Sequence, residues 1–315
     1  MKVNNWTHRF LLLGMLFSFT AAVLMATVLM STAVIAQENQ SLRWRGCGIS
    51  KNAFMESCAE AYQKDTNISV LLSGGGATLG IEAAAEGGAD IGGTCRACLK
   101  SRKENELDVK LAIVAWDALV AVVHPSNPVS NITREQVRQV LQQKITNWKE
   151  LGGLDARIVV VVRRGKVSGV GYCTRLLILE DYDADYGPTA VRLNSSGPVE
   201  KLVERQPNAI AITGVSSAKK RELKVLSIDG KKPTVANIGS GDYPYYRPLY
   251  IAYKPQKNLS ASKFVEWLLS PKGQTVIQEQ GTVTLQQGKK LGSLYKHYED
   301  VNQITNYAMI SHSSP

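Results

Sequence analysis

Residues 70–100, VLLSGGGATLGIEAAAEGGADIGGTCRACLK, constrain the fold more than any other stretch of the chain. An apolar run, Val70, Leu71 and Leu72, is broken by Ser73 and three glycines. Residues 77–85 are rich in Ala, Leu and Glu, which favour helix, and Gly87 and Gly88 end it. Residues 89–91 read as a second short strand, and residues 92–96 as a tight polar turn. This is one βαβ unit with a polar loop after each strand. A glycine loop opening a helix exposes unpaired N–H groups at the positive end of the helix dipole, so it suits an anion. Open α/β sheets bind ligands at loops on the carboxyl ends of neighbouring strands. A glycine run alone would only shape turns. The second loop, with a hydroxyl, a thiol and an arginine, favours a ligand site.

Residues 1–36 stand apart from this pattern. Lys2 and Arg9 precede a stretch, residues 10–35, that carries no charge. This predicts a signal peptide cleaved after Ala36 and export to the periplasm. The run is long enough to span a bilayer, so a retained N-terminal anchor is the alternative. No later stretch is apolar enough to span. The 44% hydrophobic and 20% charged residues are those of a globular protein, and the length after residue 36 suits two lobes. The formal charge is +10, and +8 without Lys2 and Arg9. Such an excess fits an anionic ligand or surface without specifying one. No basic repeat or stacking motif points to nucleic acid. No Ser–His–Asp arrangement can be read, and a cysteine nucleophile would have only His124 as an internal base, so an enzyme is not expected.

The cysteines number five: Cys47, Cys58, Cys95, Cys98 and Cys173. In an exported protein disulfides are the default, and an odd count leaves one thiol over. Cys95 and Cys98 form the one closely spaced pair, whereas a structural zinc site wants two, so no metal or cofactor is expected. Cys47 lies in a turn before a helix of about residues 51–63, with Ser50 as the expected N-cap. That placement lowers a thiol pKa and presents the sulfur at the helix end. Cys58 shares a helix face with Phe54, Ala61 and Tyr62 and reads as a small buried hydrophobe.

Residues 111–124, LAIVAWDALVAVVH, read either as two short strands or as one long strand crossing between lobes. Thr133 to Gln136 opens a helix with a capping pattern. Residues 158–162 form a β-branched run typical of a strand buried on both faces. It delivers RRGKVSG, residues 163–169, to another helix, which makes a second strand–polar loop–helix anion site. There Arg164 could give an oxyanion two parallel hydrogen bonds, and Ser168 a hydroxyl. Residues 249–253 are a second candidate crossing strand, and residues 270–273, SPKG, close the helix of residues 262–269.

In order, GGGATLGIEAAAEGGADIGGTCR, WDALVAVVHPSNPVSNIT, ITNWKELGG, VVRRGKVSG, NAIAITG, VLSIDGKKPTVANI, YPYYRPLYIAY and LLSPKGQ resemble the phosphate-binding periplasmic proteins of ATP-binding-cassette importers. The resemblance covers about residues 42–285. It implies an α/β, two-lobed type II periplasmic-binding-protein fold with two crossing hinge strands. Residues 37–116 and 250–315 would form lobe one and the tail, and residues 117–249 lobe two. It implies a monomer that captures phosphate or a similar oxyanion between the lobes. The partner would be an inner-membrane permease, or a membrane sensor.

Carried over residue by residue, the family's ligand loops fall on Cys47 and Gly48; on Gly75, Gly76, Ala77 and Thr78; on Thr94, Cys95 and Arg96; and on Arg164, Ser168 and Gly169. Several hydroxyls of the family pattern are replaced, and Cys47 and Cys95 stand in two loops that should face each other. A disulfide, Cys47 to Cys95 or Cys95 to Cys98, is one reading. A sensor or redox-linked protein whose thiols take a soft ligand, such as arsenite or a thiophilic metal, is the other.

Overall fold

The computed structural model describes residues 41–99, 106 and 108–295. The expected signal peptide, His297 and His312 lie outside them. From Ser41 on, the chain forms one compact unit. Its strands are β1 (Ser41–Gly46), β2 (Ser69–Ser73), β3 (Ile91–Thr94), β4 (Lys110–Val123), β5 (Asn131–Ile132), β6 (Val159–Arg163), β7 (Val191–Leu193), β8 (Ala209–Gly214), β9 (Lys224–Val225), β10 (Ser227–Ile228) and β11 (Tyr246–Tyr253). The main sheet runs β2-β1-β3-β11-β4-β8-β6-β7, with β9 also on β4, and β10 pairs with β5.

Strand β4 settles the open alternative, since residues 110–123 are one strand. Its first part pairs antiparallel with β11 up to Ala118 opposite Tyr246. From Leu119 opposite Gly214 it pairs with β8 instead. The parallel pairs β1–β2 and β1–β3 lie on one side of this changeover, and β6–β7 and β6–β8 on the other. This is the two-lobed type II arrangement that the sequence predicts, with β4 and β11 at its centre. Every residue of β11 and nearly all of β4 is buried, so neither strand can alternate polar and apolar residues. That is why both read as near-continuous apolar runs.

Helices α1 (Glu56–Thr66), α2 (Ala77–Glu86), α3 (Arg134–Leu141), α4 (Gly169–Thr174), α5 (Ser196–Arg205), α6 (Leu259–Leu269) and α7 (Pro271–Glu279) cover the sheet. Thr133 and Gln136 form the expected capping box of α3. Three local expectations change. Gly92 and Gly93 belong to β3 rather than to a turn. A Cβ on Gly92 would collide with the Gly80 carbonyl of α2, and one on Gly93 with the Trp44 ring. These glycines let a helix and an indole lie flat on the strand. Ser270 closes α6 as expected, but Pro271, Lys272 and Gly273 already belong to α7, which Ser270 also caps by accepting from the Gly273 N–H, with proline in the first turn. Ser50 is not the N-cap of the helical segment after β1. That segment starts at Gly48, and the cap is Cys47, whose sulfur accepts from the Ser50 N–H at 3.3 Å. Among the described residues no helix is long and apolar enough to cross a membrane.

Candidate functional site

The polar loops meet at the middle of the sheet. Cys47 follows β1, and its N–H donates to the Gly93 carbonyl of β3 at 3.0 Å. Cys95 follows β3. From the other lobe, α4 arrives with Ser168 as its N-cap, its oxygen accepting from the Gly171 N–H. Gly169 then lies so close to lobe one that a Cβ would collide with Cys95 Sγ and come 3.0 Å from Ala77 Cβ. One turn on, Cys173 Sγ donates to the Cys95 carbonyl at 3.2 Å. Cys47, Ala77, Cys95, Gly169 and Cys173 thus form one buried cluster.

The other predicted site residues are placed differently. Arg96 is fully buried, and every one of its nitrogens has a partner. Nη1 and Nη2 hold the Glu106 carboxylate at 3.0 and 2.8 Å, Nε donates to the Val167 carbonyl at 2.8 Å, and Nη2 also reaches Thr78 Oγ1. Thr78 donates its hydroxyl to the same Val167 carbonyl at 3.0 Å. Thr94 Oγ1 is bonded within its own turn, to the Arg96 backbone. The Ser168 hydroxyl donates to the Gly165 carbonyl at 2.9 Å. The side chains expected to donate to a ligand therefore fasten the loops together, with Val167 as the shared acceptor across the lobes. Gly48, Gly75 and Arg164 are exposed, and Gly76 is half-buried, its N–H on the Gly46 carbonyl. It is Arg163 that turns inward: it is half-buried, and Cys95 and Cys47 are among the groups that act on its charge.

The donor that sequence reasoning missed is Arg247 of β11. It stands directly opposite Asp117 of β4, one residue from the changeover between lobes. Both side chains are fully buried, and Arg247 Nη2 donates to Asp117 Oδ2 at 3.0 Å. Asp117 Oδ1 accepts from the Ser216 N–H and hydroxyl, at 3.2 and 2.7 Å, which fixes the carboxylate. Arg247 Nε and Nη1 have no oxygen or nitrogen acceptor. Cys173, a weak sulfur acceptor, lies against the guanidinium. Burial opposes the Arg247 charge, but the acidic groups Cys95, Asp117 and Cys173 around it hold it protonated. A signal for the pair exists in the sequence: Asp117 and Arg247 are the charged interruptions of the two apolar crossing strands.

All five cysteines are free thiols. Cys58 is the buried hydrophobe that its helix face predicts, and burial pushes its pKa up to about 12. Cys47 and Cys95 follow adjacent strands, and each acts on the other's ionisation. Burial opposes ionisation of Cys47. Hydrogen bonds from Cys95 and Ser50, with the Arg247 charge behind them, outweigh it and draw the thiol down to about 7. Cys95 moves the other way, raised by its hydrogen bond to Cys47 and by burial. Burial raises Cys173 to about 11. Among the described residues, no three His, Cys, Asp or Glu side chains are placed to share one metal ion.

Residues 50–272 match the model of the PBP superfamily domain. The chain belongs to the PBP superfamily. It is 26% identical over 247 residues to the phosphate-binding protein PstS of Bacillus subtilis, covering 77% of this chain and 80% of that one. The PstS of Borreliella burgdorferi is 28% identical over 189 residues, 58% of this chain and 68% of that one. Among solved structures, a putative phosphate ABC transporter substrate-binding protein with bound phosphate from Clostridium perfringens superposes with a TM-score of 0.70. It is 28% identical over 78% of this chain and 99% of that one. An ABC-type phosphate transport receptor from Vibrio cholerae gives 0.61, at 30% identity over 78% and 100%. The family and fold read from the motifs are those found. As a PBP-superfamily protein the chain is similar to binding proteins, and its cleft carries the free thiols of Cys47, Cys95 and Cys173.

Proposed function

We propose that this is an exported, monomeric solute-binding protein that captures phosphate or a similar oxyanion between its lobes for an inner-membrane ATP-binding-cassette permease. The relatives support the solute class, because those named above are phosphate-binding proteins or receptors. One observation carries the site. Arg247 is a fully buried cation at the junction of the lobes with two nitrogens, Nε and Nη1, unspent. A buried, unpaired donor costs about 1–3 kcal/mol, and an oxyanion oxygen on each would remove that cost with charge-assisted hydrogen bonds. The reading is of binding rather than catalysis, since among the described residues the buried cations and thiols have no histidine beside them. His124, the internal histidine, bonds Ser126 at the end of β4.

The test is calorimetric titration with phosphate, with sulfate as the control anion. Phosphate binding that falls in Arg247→Lys, a variant that keeps the charge on Asp117 but loses the donor array, supports the proposal. Full affinity in that variant, or no phosphate binding by a folded protein, sinks it.

A further inference from the structure

The oxyanion reading leaves the thiols unexplained. Two cysteines follow the neighbouring parallel strands β1 and β3, both buried, and a third, on α4 of the facing lobe, donates to the carbonyl of the second. Beside them Arg247 holds two nitrogens, Nε and Nη1, without an oxygen or nitrogen acceptor. A pair of thiols next to a hydrogen-bond donor asks for a ligand that is both soft and oxygen-bearing. A simple oxyanion uses the guanidinium and ignores the sulfurs. A bare soft cation uses the sulfurs, ignores the N–H donors and brings positive charge towards a buried guanidinium. A neutral hydroxide of trivalent arsenic or antimony uses both.

We propose that reduced Cys47 and Cys95 bind such a hydroxide as a bis-thiolate, with Arg247 donating to the oxygen that stays on the metalloid. For arsenic, As(OH)3 and two Cys–SH give (Cys–S)2As–OH and two waters. Two As–S bonds form, two As–O bonds break, and the thiol protons leave in the waters. Arsenic stays trivalent, so no oxidant or reductant is needed. The Cys47 thiol, whose sulfur accepts from the Ser50 N–H, is the first nucleophile, because the thiolate is the reactive form. Gly169 closes over the Cys95 sulfur and Cys173 holds the Cys95 carbonyl, so entry requires Cys173 to release that carbonyl, and Arg96 and Thr78 to release Val167. The inference uses the same cleft as the oxyanion reading but does not depend on it.

The experiment is calorimetric titration of the phosphine-reduced full chain with sodium arsenite, followed by a thiol count, with phosphate titrated in parallel. Expected are one arsenite per chain and protection of two of the five thiols. Cys47→Ser and Cys95→Ser should each lose more than the about 10–100-fold that removal of an outer-shell partner costs a bound metal. Arg247→Lys should lose an amount within that span, and Cys58→Ser should lose nothing. Unfolding midpoints of each variant show that it folds. Arsenite binding that survives Cys47→Ser, or no arsenite binding by the reduced, folded protein, overturns the proposal. So does tight uptake of monovalent copper by the two thiols that arsenite cannot displace. Phosphate heat without arsenite heat sinks this proposal and leaves the oxyanion reading standing; arsenite heat without phosphate heat does the reverse.

Discussion

Among the described residues two arginines, Arg96 and Arg247, have no exposed surface, each beside a buried carboxylate, and they are used in opposite ways. Arg96 spends every nitrogen on the protein: on Glu106, on the Ala97 and Val167 carbonyls and on Thr78. Arg247 spends one, on Asp117. Both pairs are fully buried, so burial alone does not separate a fastening from a binding group. The count of unspent donors does. A fully satisfied buried ion pair holds elements in register. One left with open donors is a place prepared for something else, because each open donor is a standing cost.

The comparison predicts unequal responses to mutation. The largest is Glu106→Gln. It leaves the Arg96 charge buried without compensation, and breaking a buried pair costs about 3–5 kcal/mol. A denaturant titration should show that loss, together with a weaker hold on Val167 and on the facing lobe. If Glu106→Gln proves no worse than an average surface change, Arg96 is not the fastening described above.

Arg247→Lys comes second and acts on a different quantity. Lysine can keep the ion pair with Asp117, so the unfolding midpoint should move less than in Glu106→Gln. Ligand affinity should fall by about 1.5–3 kcal/mol, the worth of a hydrogen bond to a charged group. That is about 10- to 150-fold in Kd, measured by calorimetry. Equal damage to stability and affinity would erase the distinction between the two arginines.

How far the sequence revealed this arrangement depended on how local the signal was. Strands, helices and the βαβ unit were legible because apolar runs, glycines and caps act within a few residues. The β-branched run before Arg163 and the capping box at Thr133 were readable this way, whereas the facing of Cys47 and Cys95 came only with the family resemblance. The family motifs gave the topology, which no local rule supplies. What could not be read was the occupancy of donors. Arg96, Thr78, Thr94 and Ser168 look like ligand groups in a string of letters. Their partners, Glu106, Val167, Gly165 and the Arg96 backbone, are fixed only when two lobes close on each other. Arg247 was hidden for the converse reason. Its role follows from its register with Asp117 across two strands 130 positions apart, in which a single charge reads as an interruption. Cys47 was read as a thiol presented at the helix end but not as its cap, because sulfur is a rare cap and Ser50, the better capping type, drew that assignment.

The third prediction tests how tightly the lobes meet at the sulfurs. Gly169→Ala puts a methyl group against Cys95 Sγ and Ala77 Cβ, and overpacking of this kind costs about 1–3 kcal/mol. The cost should shrink when Cys95 is also changed to alanine, since the colliding sulfur is then gone. A double-mutant cycle reads that coupling from four unfolding midpoints. Strict additivity would mean that Gly169 and Cys95 do not touch in solution.

The smallest effect extends the comparison from the arginines to the thiols beside them. Cys98 lies near Arg96, whose charge Glu106 already answers. Burial, and then the Glu106 charge, push its pKa up to about 12. Cys47 lies near Arg247 and is drawn down to about 7, because Cys95, Ser50 and the guanidinium together overcome its burial. The two thiols must therefore tilt stability in opposite directions with pH. For Cys47 the unfolded chain holds its proton up to about 9 while the folded chain gives it up near 7. Folding thus gains stability as pH rises through that window, and loses it as pH falls through 7. From pH 7 to pH 8 the gain is about 1 kcal/mol for an isolated thiol. For Cys98 the folded chain keeps the proton that the unfolded chain releases, so stability falls above pH 9. Unfolding midpoints measured across this range should rise and then fall. Cys47→Ser should remove the rise and leave the fall, and Cys98→Ser should blunt the fall and leave the rise. A rise that persists in Cys47→Ser would place the low-pKa group elsewhere. It would also take away the thiolate on which the contrast between the two arginine environments rests.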